Sequence, residues 1–325
     1  MAILITGAGL IGCHTARLLT ERGERVVLYD ACPIPGAIAS IVDDPRASVV
    51  TGDVTDLDHL ARVAEQEGID RVVHTAALLS NAIRRSPLDG IRVNVMGTAN
   101  ILELARRLAF KRVVLASSTT VHYPAFGDFA GPAFPEDYPM RMLAHRPGSI
   151  YAGTKVAAEY FGLLYRDLYA LDVVALRYAA VLGGWSGPGT SVPGKLLATL
   201  LEAARAGREA VIDDPLLVWE GGDEFVDARD CARANVAALD AREPAQGVYT
   251  IGSGALHRFD DFVDAVRAAY PGLRVRLAVT PKGGFAGFPH VRHTPSDISA
   301  ARRELGWAPS HALADSVRHF FEHMP

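Results

Sequence analysis

The sequence has little of what several classes of protein require. It contains three cysteines, Cys13, Cys32 and Cys231, whose odd number and wide spacing argue against a disulfide framework or a cysteine zinc site. It has no apolar run long enough to span a bilayer, and its N-terminus lacks the basic segment of a signal peptide. We therefore expect a cytoplasmic protein in a reducing compartment, with no membrane partner.

An excess of basic charge is also missing. The net charge is −4 and no basic stripe carries interleaved aromatic residues, so nucleic acid is not an expected partner. His290 and His293 are spaced like metal ligands, but no third ligand is obvious, so we predict no metal. What is present is a globular balance, 49% hydrophobic and 22% charged residues, which suffices for one large domain or two lobes.

Runs of β-branched residues alternate with amphipathic helical stretches in the first half of the chain. The predicted strands cover residues 2–6, 25–30, 48–53, 71–77, 112–118 and 172–181. Such alternation predicts an α/β fold with a doubly wound parallel sheet of the Rossmann type. The clearest helical patterns lie at 94–109 and from Ser149 onward.

The first predicted strand runs into a glycine motif. Gly7, Gly9 and Gly12 have Gly-x-Gly-x-x-Gly spacing, which permits a tight turn, close approach of a pyrophosphate and close packing of helix on strand. The helix N-terminus then faces the phosphates with unpaired N–H groups. Asp30 ends the second strand, where a carboxylate can bind the adenosine ribose hydroxyls and repel a 2′-phosphate. The pattern predicts NAD rather than NADP.

The character of the sequence changes after Val181. A Gly/Pro-rich loop (182–194), a helix (195–207) and an acidic loop (213–225) precede another helical stretch (226–241). We therefore predict an NAD-binding Rossmann domain over 1–181, to which 226–245 returns. Residues 182–225 and 246–325 are predicted to form a smaller, discontinuous substrate-binding lobe.

The stretch SIYAGTK sets Tyr151 and Lys155 four residues apart, so both lie on one helix face. Lowering the pKa of a tyrosine from about 10 to about 7 takes about 4 kcal/mol. One ammonium at about 4 Å supplies roughly that much at an effective dielectric constant near 20. The spacing also suits an ordinary amphipathic helix, but its place after the fifth strand of an NAD-binding sheet favours an acid/base pair. A hydroxyl partner is expected at the end of that strand, among Ser117, Ser118 and the two threonines that follow.

Seven segments in this order, TGAGLIG, GDV, NVMGT, SSTTV, YAGTK, LRY and DISAARRELGW, resemble the extended short-chain dehydrogenase/reductases, the NAD-dependent epimerase/dehydratase family. The resemblance covers essentially the whole chain. It implies that Tyr151 is the acid/base, that Lys155 lowers its pKa and holds the nicotinamide ribose, and that Ser118 orients the reacting oxygen. It places Asn94 near the site and implies a small-molecule substrate and a homodimer built through a four-helix bundle.

Further candidate contacts follow from the motifs. The additional cofactor-binding candidates are Leu10, Ile11, Asp53, Val54, Ala76 and Asn94. The candidates for the substrate pocket are Leu78, Thr119, Thr120, His122, Ala180 and Trp185. Asp53 follows the third strand, where its carboxylate would accept from the adenine amino group, but a turn or helix N-cap aspartate fits the sequence equally well.

The chain also departs from the family pattern. Its glycine loop is one residue shorter than usual, which bears on the phosphate contact. Nucleotide-sugar epimerases often carry Asn where this chain has Ala180, and Arg where Asp223 and Glu224 precede Phe225. An acidic loop is a poor cradle for a diphosphate, although Lys195, Lys282 or Arg292 could supply the cation instead. We predict a dehydrogenase that acts on a small hydroxyl or carbonyl substrate, such as a sugar or sugar acid. The alternatives are a nucleotide-sugar epimerase that keeps NAD bound and a non-catalytic NAD-sensing regulator.

Overall fold

The computed structural model describes residues 1–187 and 191–323, so part of the predicted Gly/Pro-rich loop lies outside the described residues. The strands are β1 (Ala2–Thr6), β2 (Arg25–Asp30), β3 (Ala47–Thr51), β4 (Ile69–His74), β5 (Arg112–Ser118), β6 (Val173–Tyr178), β7 (Ala180–Leu182), β8 (Ala210–Ile212), β9 (Asp223–Asp227), β10 (Val248–Ile251), β11 (Leu256–His257) and β12 (Val275–Leu277). The α-helices are α1 (Leu10–Glu21), α2 (Pro35–Ala39), α3 (Leu57–Glu67), α4 (Ser80–Arg85), α5 (Pro87–Ile91), α6 (Gly97–Arg107), α7 (Ile150–Tyr169), α8 (Val192–Arg205), α9 (Ala228–Asp240), α10 (Phe259–Ala269), α11 (Ser299–Glu304) and α12 (Leu313–His323).

The large sheet is parallel throughout and has helices on both faces. Within the described residues its strand order is β10-β6-β5-β4-β1-β2-β3. In β1, Ile3 and Ile5 belong to the core that contains residues of α1 and α9, whereas Ala2 and Leu4 belong to the core with residues of α3 and α6. Burial on both faces explains why these strands read as continuous apolar runs. The predicted Rossmann-type α/β fold is confirmed.

The smaller lobe has its own core. It contains the three-stranded sheet β11-β9-β7, the pair β12-β8, and the helices α8, α10 and α12. Trp219 packs against the rings of Phe225, Phe259, Phe262 and Phe285 with centroid separations of 5.1 to 5.8 Å. These aromatic rings form the centre of the lobe.

Three predictions about chain organisation differ from the structure. The predicted strand over 172–181 is two strands, because β6 stays in the large sheet while β7 pairs with β9. The predicted acidic loop over 213–225 ends inside β9, which is buried along its whole length. Strand β10 lies within the segment assigned to the substrate lobe, yet it pairs with β6 at the edge of the large sheet. The division into an NAD-binding and a substrate-binding part stays a prediction.

Two features of the described residues bear on other functions. No helix among them is long and apolar enough to cross a membrane. Over the same residues, no group of three or more His, Cys, Asp or Glu side chains is arranged to hold a metal ion, and both His290 and His293 are exposed.

Candidate active site

The glycine motif forms the turn between β1 and α1. Gly7 has a φ of 91°, and a Cβ there would lie 2.7 Å from the backbone nitrogen of Ala76. A Cβ at Gly12 would overlap the carbonyl oxygen of Gly7, whereas one at Gly9 would meet nothing within 4 Å. Thus Gly7 and Gly12 permit close packing and Gly9 leaves the approach to α1 open. Gly9 is also the N-cap of α1 and has no side chain to bond the N–H groups of its first turn, so these remain available for a pyrophosphate.

Asp30 is held in place at the end of β2. Its Oδ2 accepts a hydrogen bond from the backbone N–H of Ala8, and its Oδ1 accepts one from Cys32, both at 2.8 Å. Each oxygen keeps further acceptor capacity, so the carboxylate can also receive two neighbouring ribose hydroxyls. The cradle thus fits an adenosine ribose without a 2′-phosphate.

Asp53 and Val54 follow β3 with different surroundings. Asp53 is exposed, and its Oδ1 accepts from both the backbone N–H and the hydroxyl of Thr55 at 2.8 Å, so it closes the turn before α3. Val54 is buried, and a Cβ at Gly97 would lie 2.6 Å from its side chain. The adenine contact of Asp53 stays a prediction.

Asn94 ties the loop after β4 to α7. It lies in a π-helical turn, Arg92–Met96, that continues into α6. Its Oδ1 accepts from the backbone N–H of Leu78 at 2.8 Å, and its Nδ2 donates to the carbonyl of Leu78 at 3.0 Å and to the Thr154 hydroxyl at 3.1 Å. The amide therefore holds Leu78, a predicted pocket residue, beside the helix that carries Tyr151 and Lys155.

Ser118, Tyr151 and Lys155 come together where β5 meets α7. Ser149 is the N-cap of α7 and accepts from the backbone N–H of Ala152 at 3.1 Å, which fixes the start of the helix one residue before Tyr151. The Lys155 ammonium donates to the carbonyl of Ala116 at 2.7 Å and lies 5.7 Å from the centre of the Tyr151 ring. All three predicted side chains thus share one end of the sheet.

The pKa of Tyr151 differs from the value of about 7 that was expected beside Lys155. Burial raises the pKa of Tyr151 to about 12, although a hydrogen bond from Ser118 lowers it. Burial lowers the pKa of Lys155 to about 8, although the Glu159 carboxylate raises it. Burial thus raises the pKa of Tyr151 in the protein without cofactor, opposite to the net lowering that was expected. The effect of Lys155 on this pKa stays a prediction.

The remaining predicted pocket residues lie after β5 and around β7. Thr119 and His122 are buried, and burial lowers the pKa of His122 to about 3, with Arg177 and Arg292 adding to the effect. Thr120, Leu78, Ala180 and Trp185 are half-buried. Their contact with a substrate stays a prediction.

Two charged groups near these residues did not emerge from the sequence. Glu159 accepts from the Ser117 hydroxyl at 2.5 Å and from two nitrogens of Arg177 at 2.9 and 2.7 Å. The sequence does contain one signal for Glu159, because its position four residues after Lys155 places both side chains on one face of α7. The ion pair with Arg177 joins α7 to β6, and no local pattern predicts it.

A second buried cluster connects the two lobes and contains Arg292. Its guanidinium donates to Glu224 at 2.6 Å, to Asp223 at 3.5 Å and to the carbonyl of Thr294 at 2.9 Å. It also lies 4.4 Å above the centre of the Phe126 ring. Two carboxyl groups therefore surround this one guanidinium, and burial raises the pKa of Asp223. The ammonium of Lys195 is likewise compensated, because it pairs with Asp214 at 2.7 Å.

Comparison of the chain with known proteins identifies its family. The model of the NAD dependent epimerase/dehydratase family matches residues 3–252. The chain belongs to the NAD-dependent epimerase/dehydratase family. It is therefore an enzyme and its cofactor is NAD, as the glycine turn and Asp30 indicate.

Relatives in this epimerase/dehydratase family differ in what they act on. The chain is similar to the UDP-glucose 4-epimerase of Lacticaseibacillus casei, with 28% identity over 97% of this chain and 93% of the relative. Among solved structures, it is similar to a GalE-like L-threonine dehydrogenase from Cupriavidus necator, with 25% identity and a TM-score of 0.81 over 98% of this chain and 99% of that one. It is also similar to MoeE5 in complex with UDP-glucuronic acid and NAD, with 27% identity and a TM-score of 0.77 over 99% and 98% of the two chains.

Proposed function

We propose that this enzyme is a dehydrogenase that moves a hydride between NAD and a hydroxyl-bearing carbon of a small substrate without a nucleotide. In the oxidative direction, the substrate carbon loses hydride while its hydroxyl proton passes to Tyr151. Ser118 orients the reacting oxygen, and Lys155 holds the nicotinamide ribose and favours the ionised tyrosine. NAD, when bound, supplies the hydride acceptor. The charge of its oxidised nicotinamide ring would favour the phenolate that burial disfavours in the protein alone.

The proposed substrate class rests on the ion pairs of Arg292. A diphosphate binds where cations remain uncompensated, but the guanidinium of Arg292 is shared between Asp223 and Glu224. A diphosphate placed there would face two buried carboxylates and would have to displace ion pairs formed away from water, which is costly. A sugar, sugar acid or hydroxy amino acid makes no such demand. The similarity to an L-threonine dehydrogenase supports this substrate class.

A nucleotide-sugar 4-epimerase is the second candidate function. The similarity to UDP-glucose and UDP-glucuronate 4-epimerases over nearly the whole chain favours it. Such an enzyme would oxidise and re-reduce the same carbon with NAD retained, using the same Tyr151 and Lys155. The two candidates therefore differ in the substrate pocket rather than in the proton-transfer group.

Titration with UDP-glucose and UDP-glucuronate separates the candidates. We expect calorimetry of the NAD-loaded enzyme to show no saturable binding below about 1 mM, because no cation of the Arg292 cluster is uncompensated. UDP serves as the control for the nucleotide alone. Micromolar binding of either UDP-sugar would overturn the proposed substrate class and favour the epimerase.

We also propose that the enzyme is a homodimer. Tyr160, Leu164 and Leu168 form one stripe of α7 and are 67%, 46% and 67% exposed, next to Ile91 and Met96 at 43% and 53%. Such a contiguous apolar face on neighbouring helices suits a second copy packed in a helix bundle. We expect sedimentation at micromolar concentration to give twice the chain mass of 34.8 kDa.

A double substitution tests which face forms the dimer. Leu164→Glu with Leu168→Glu should yield the monomer mass, whereas Leu277→Glu, at a 40% exposed position of β12, should leave the dimer intact. A wild-type monomer, or a dimer that survives the α7 substitutions, would contradict the proposed interface.

A further inference from the structure

Three consecutive residues of β5 hold three residues on successive turns of α7. The hydroxyl of Ser118 lowers the pKa of Tyr151, the carbonyl of Ala116 accepts from Lys155 at 2.7 Å, and the hydroxyl of Ser117 donates to Glu159 at 2.5 Å. Tyr151, Lys155 and Glu159 are spaced four residues apart, so they lie along one face of the helix. The proton-transfer pair thus has a third, acidic member in the same row.

The Glu159 carboxylate is buried and held by the side chains of Ser117 and Arg177. It is 6% exposed, and Arg177 binds both of its oxygens from the neighbouring strand β6. Arg177 in turn donates to the carbonyl of Glu136 at 2.7 Å, in the chain between β5 and α7. A buried carboxylate held this firmly keeps its charge at a constant place relative to Lys155.

The charges around Lys155 come from three elements. Tyr151 and Glu159 lie on α7 itself, His74 lies at the end of β4, and Arg177 lies on β6. His74 stays uncharged near neutral pH, since burial lowers its pKa to about 3. Glu159 is therefore the group that favours the charged lysine, and Arg177 is the group that compensates Glu159.

We propose that Glu159 is a positioning residue of the reaction, whose carboxylate keeps Lys155 protonated, and that Arg177 limits the strength of this effect. The proposal rests on the proposed role of Tyr151 and Lys155 in proton transfer. It predicts effects of opposite sign for the two partners. Glu159→Gln leaves the Arg177 charge uncompensated, so Lys155 should lose its proton at lower pH. Arg177→Met leaves the Glu159 charge uncompensated, so Lys155 should keep its proton to higher pH.

The small number of lysines allows a direct measurement. The chain has only Lys111, Lys155, Lys195 and Lys282, so carbon NMR of ε-labelled lysine gives four signals, and Lys155→Met assigns the relevant one. In the wild-type enzyme this signal should titrate at about 8. We expect Glu159→Gln to lower this pKa by about one unit and Arg177→Met to raise it by about one unit.

Controls separate this effect from a purely structural tether. Glu103→Gln, which removes a half-buried carboxylate on α6 that pairs with Arg106, should leave the Lys155 pKa unchanged. If Glu159→Gln does not fold, Glu159→Asp, which withdraws the charge by one methylene, should lower the pKa by a smaller amount. Shifts of the same sign for Glu159 and Arg177 variants, or no shift in either, would overturn the proposal. The titration needs no substrate, so failure of the dehydrogenase assignment would not affect it.

Discussion

Tyr151→Phe lowers kcat/KM by about 10²–10⁴ if the hydroxyl moves the proton in the reaction. The substitution removes only the hydroxyl at the place where Ser118, Tyr151 and Lys155 meet, so the fold and the glycine turn should remain intact. Steady-state rates of NADH formation measure the loss, and NAD titration by calorimetry should give an affinity within about threefold of wild type.

The same helix provides a matched control for this substitution. Tyr160→Phe removes a hydroxyl from a side chain that is 67% exposed, nine residues along α7, and should leave the rate unchanged. A Tyr151→Phe enzyme with nearly wild-type kcat/KM would remove Tyr151 from the mechanism, whatever the substrate proves to be.

Acidification from pH 6.5 to pH 5 lowers the free energy of unfolding by about 3 kcal/mol. His14, His74 and His122 are buried, and burial lowers the pKa of each from 6.5 to about 3. Below pH 6.5 the unfolded chain binds these protons and the folded chain does not, so stability falls as pH falls. Because the unfolded histidines are already half protonated at pH 6.5, each costs about 1.6 kcal/mol over this interval, and the three together cost about 5 kcal/mol.

Two carboxyl groups whose pKa values are raised by burial, Glu136 and Asp223, oppose this loss. Burial raises the pKa of Glu136 from 4.5 to about 7, so in this interval the folded chain binds more protons at this group than the unfolded chain. Its contribution to stability increases as pH falls and offsets about 2 kcal/mol of the histidine effect. Urea unfolding at the two pH values measures the difference.

His14 offers the sharpest variant for this measurement. Neither of its ring nitrogens has a hydrogen-bond partner among the described residues. His14→Phe should therefore remove about 2 kcal/mol of the pH dependence, whereas His293→Gln, at an exposed position, should leave it unchanged. Equal stability at pH 5 and pH 6.5 in the wild-type enzyme would contradict the account of buried neutral histidines.

The parts of the fold that depend on local sequence could be predicted. The strand, glycine turn and helix from Ala2 to Glu21 are specified by apolar runs and by the conformational freedom of Gly7. Asp30 follows from the same unit, because it ends the strand that pairs with β1. Ser118, Tyr151 and Lys155 could be placed together because parallel sheets bring strand ends to one edge.

The parts of the fold and site that depend on residues distant in sequence could not be predicted. Strand β9 reads as an acidic loop because Asp223 and Glu224 are adjacent in it, and their charges are compensated by Arg292, which follows them by almost seventy residues. The Lys155 ammonium was expected to dominate the pKa of Tyr151, but the degree of burial that reverses this expectation arises from tertiary packing. The ion pair of Glu159 with Arg177 depends likewise on the contact between α7 and β6.

The most direct test of the proposed function is NADH formation by the wild-type enzyme with a panel of sugars, sugar acids, hydroxy amino acids and UDP-sugars. We predict that NAD is reduced in net amount by at least one small hydroxylated compound and by none of the UDP-sugars. Conversion of UDP-glucose or UDP-glucuronate to its 4-epimer without net NADH, together with no reduction by any small compound, would contradict the dehydrogenase assignment.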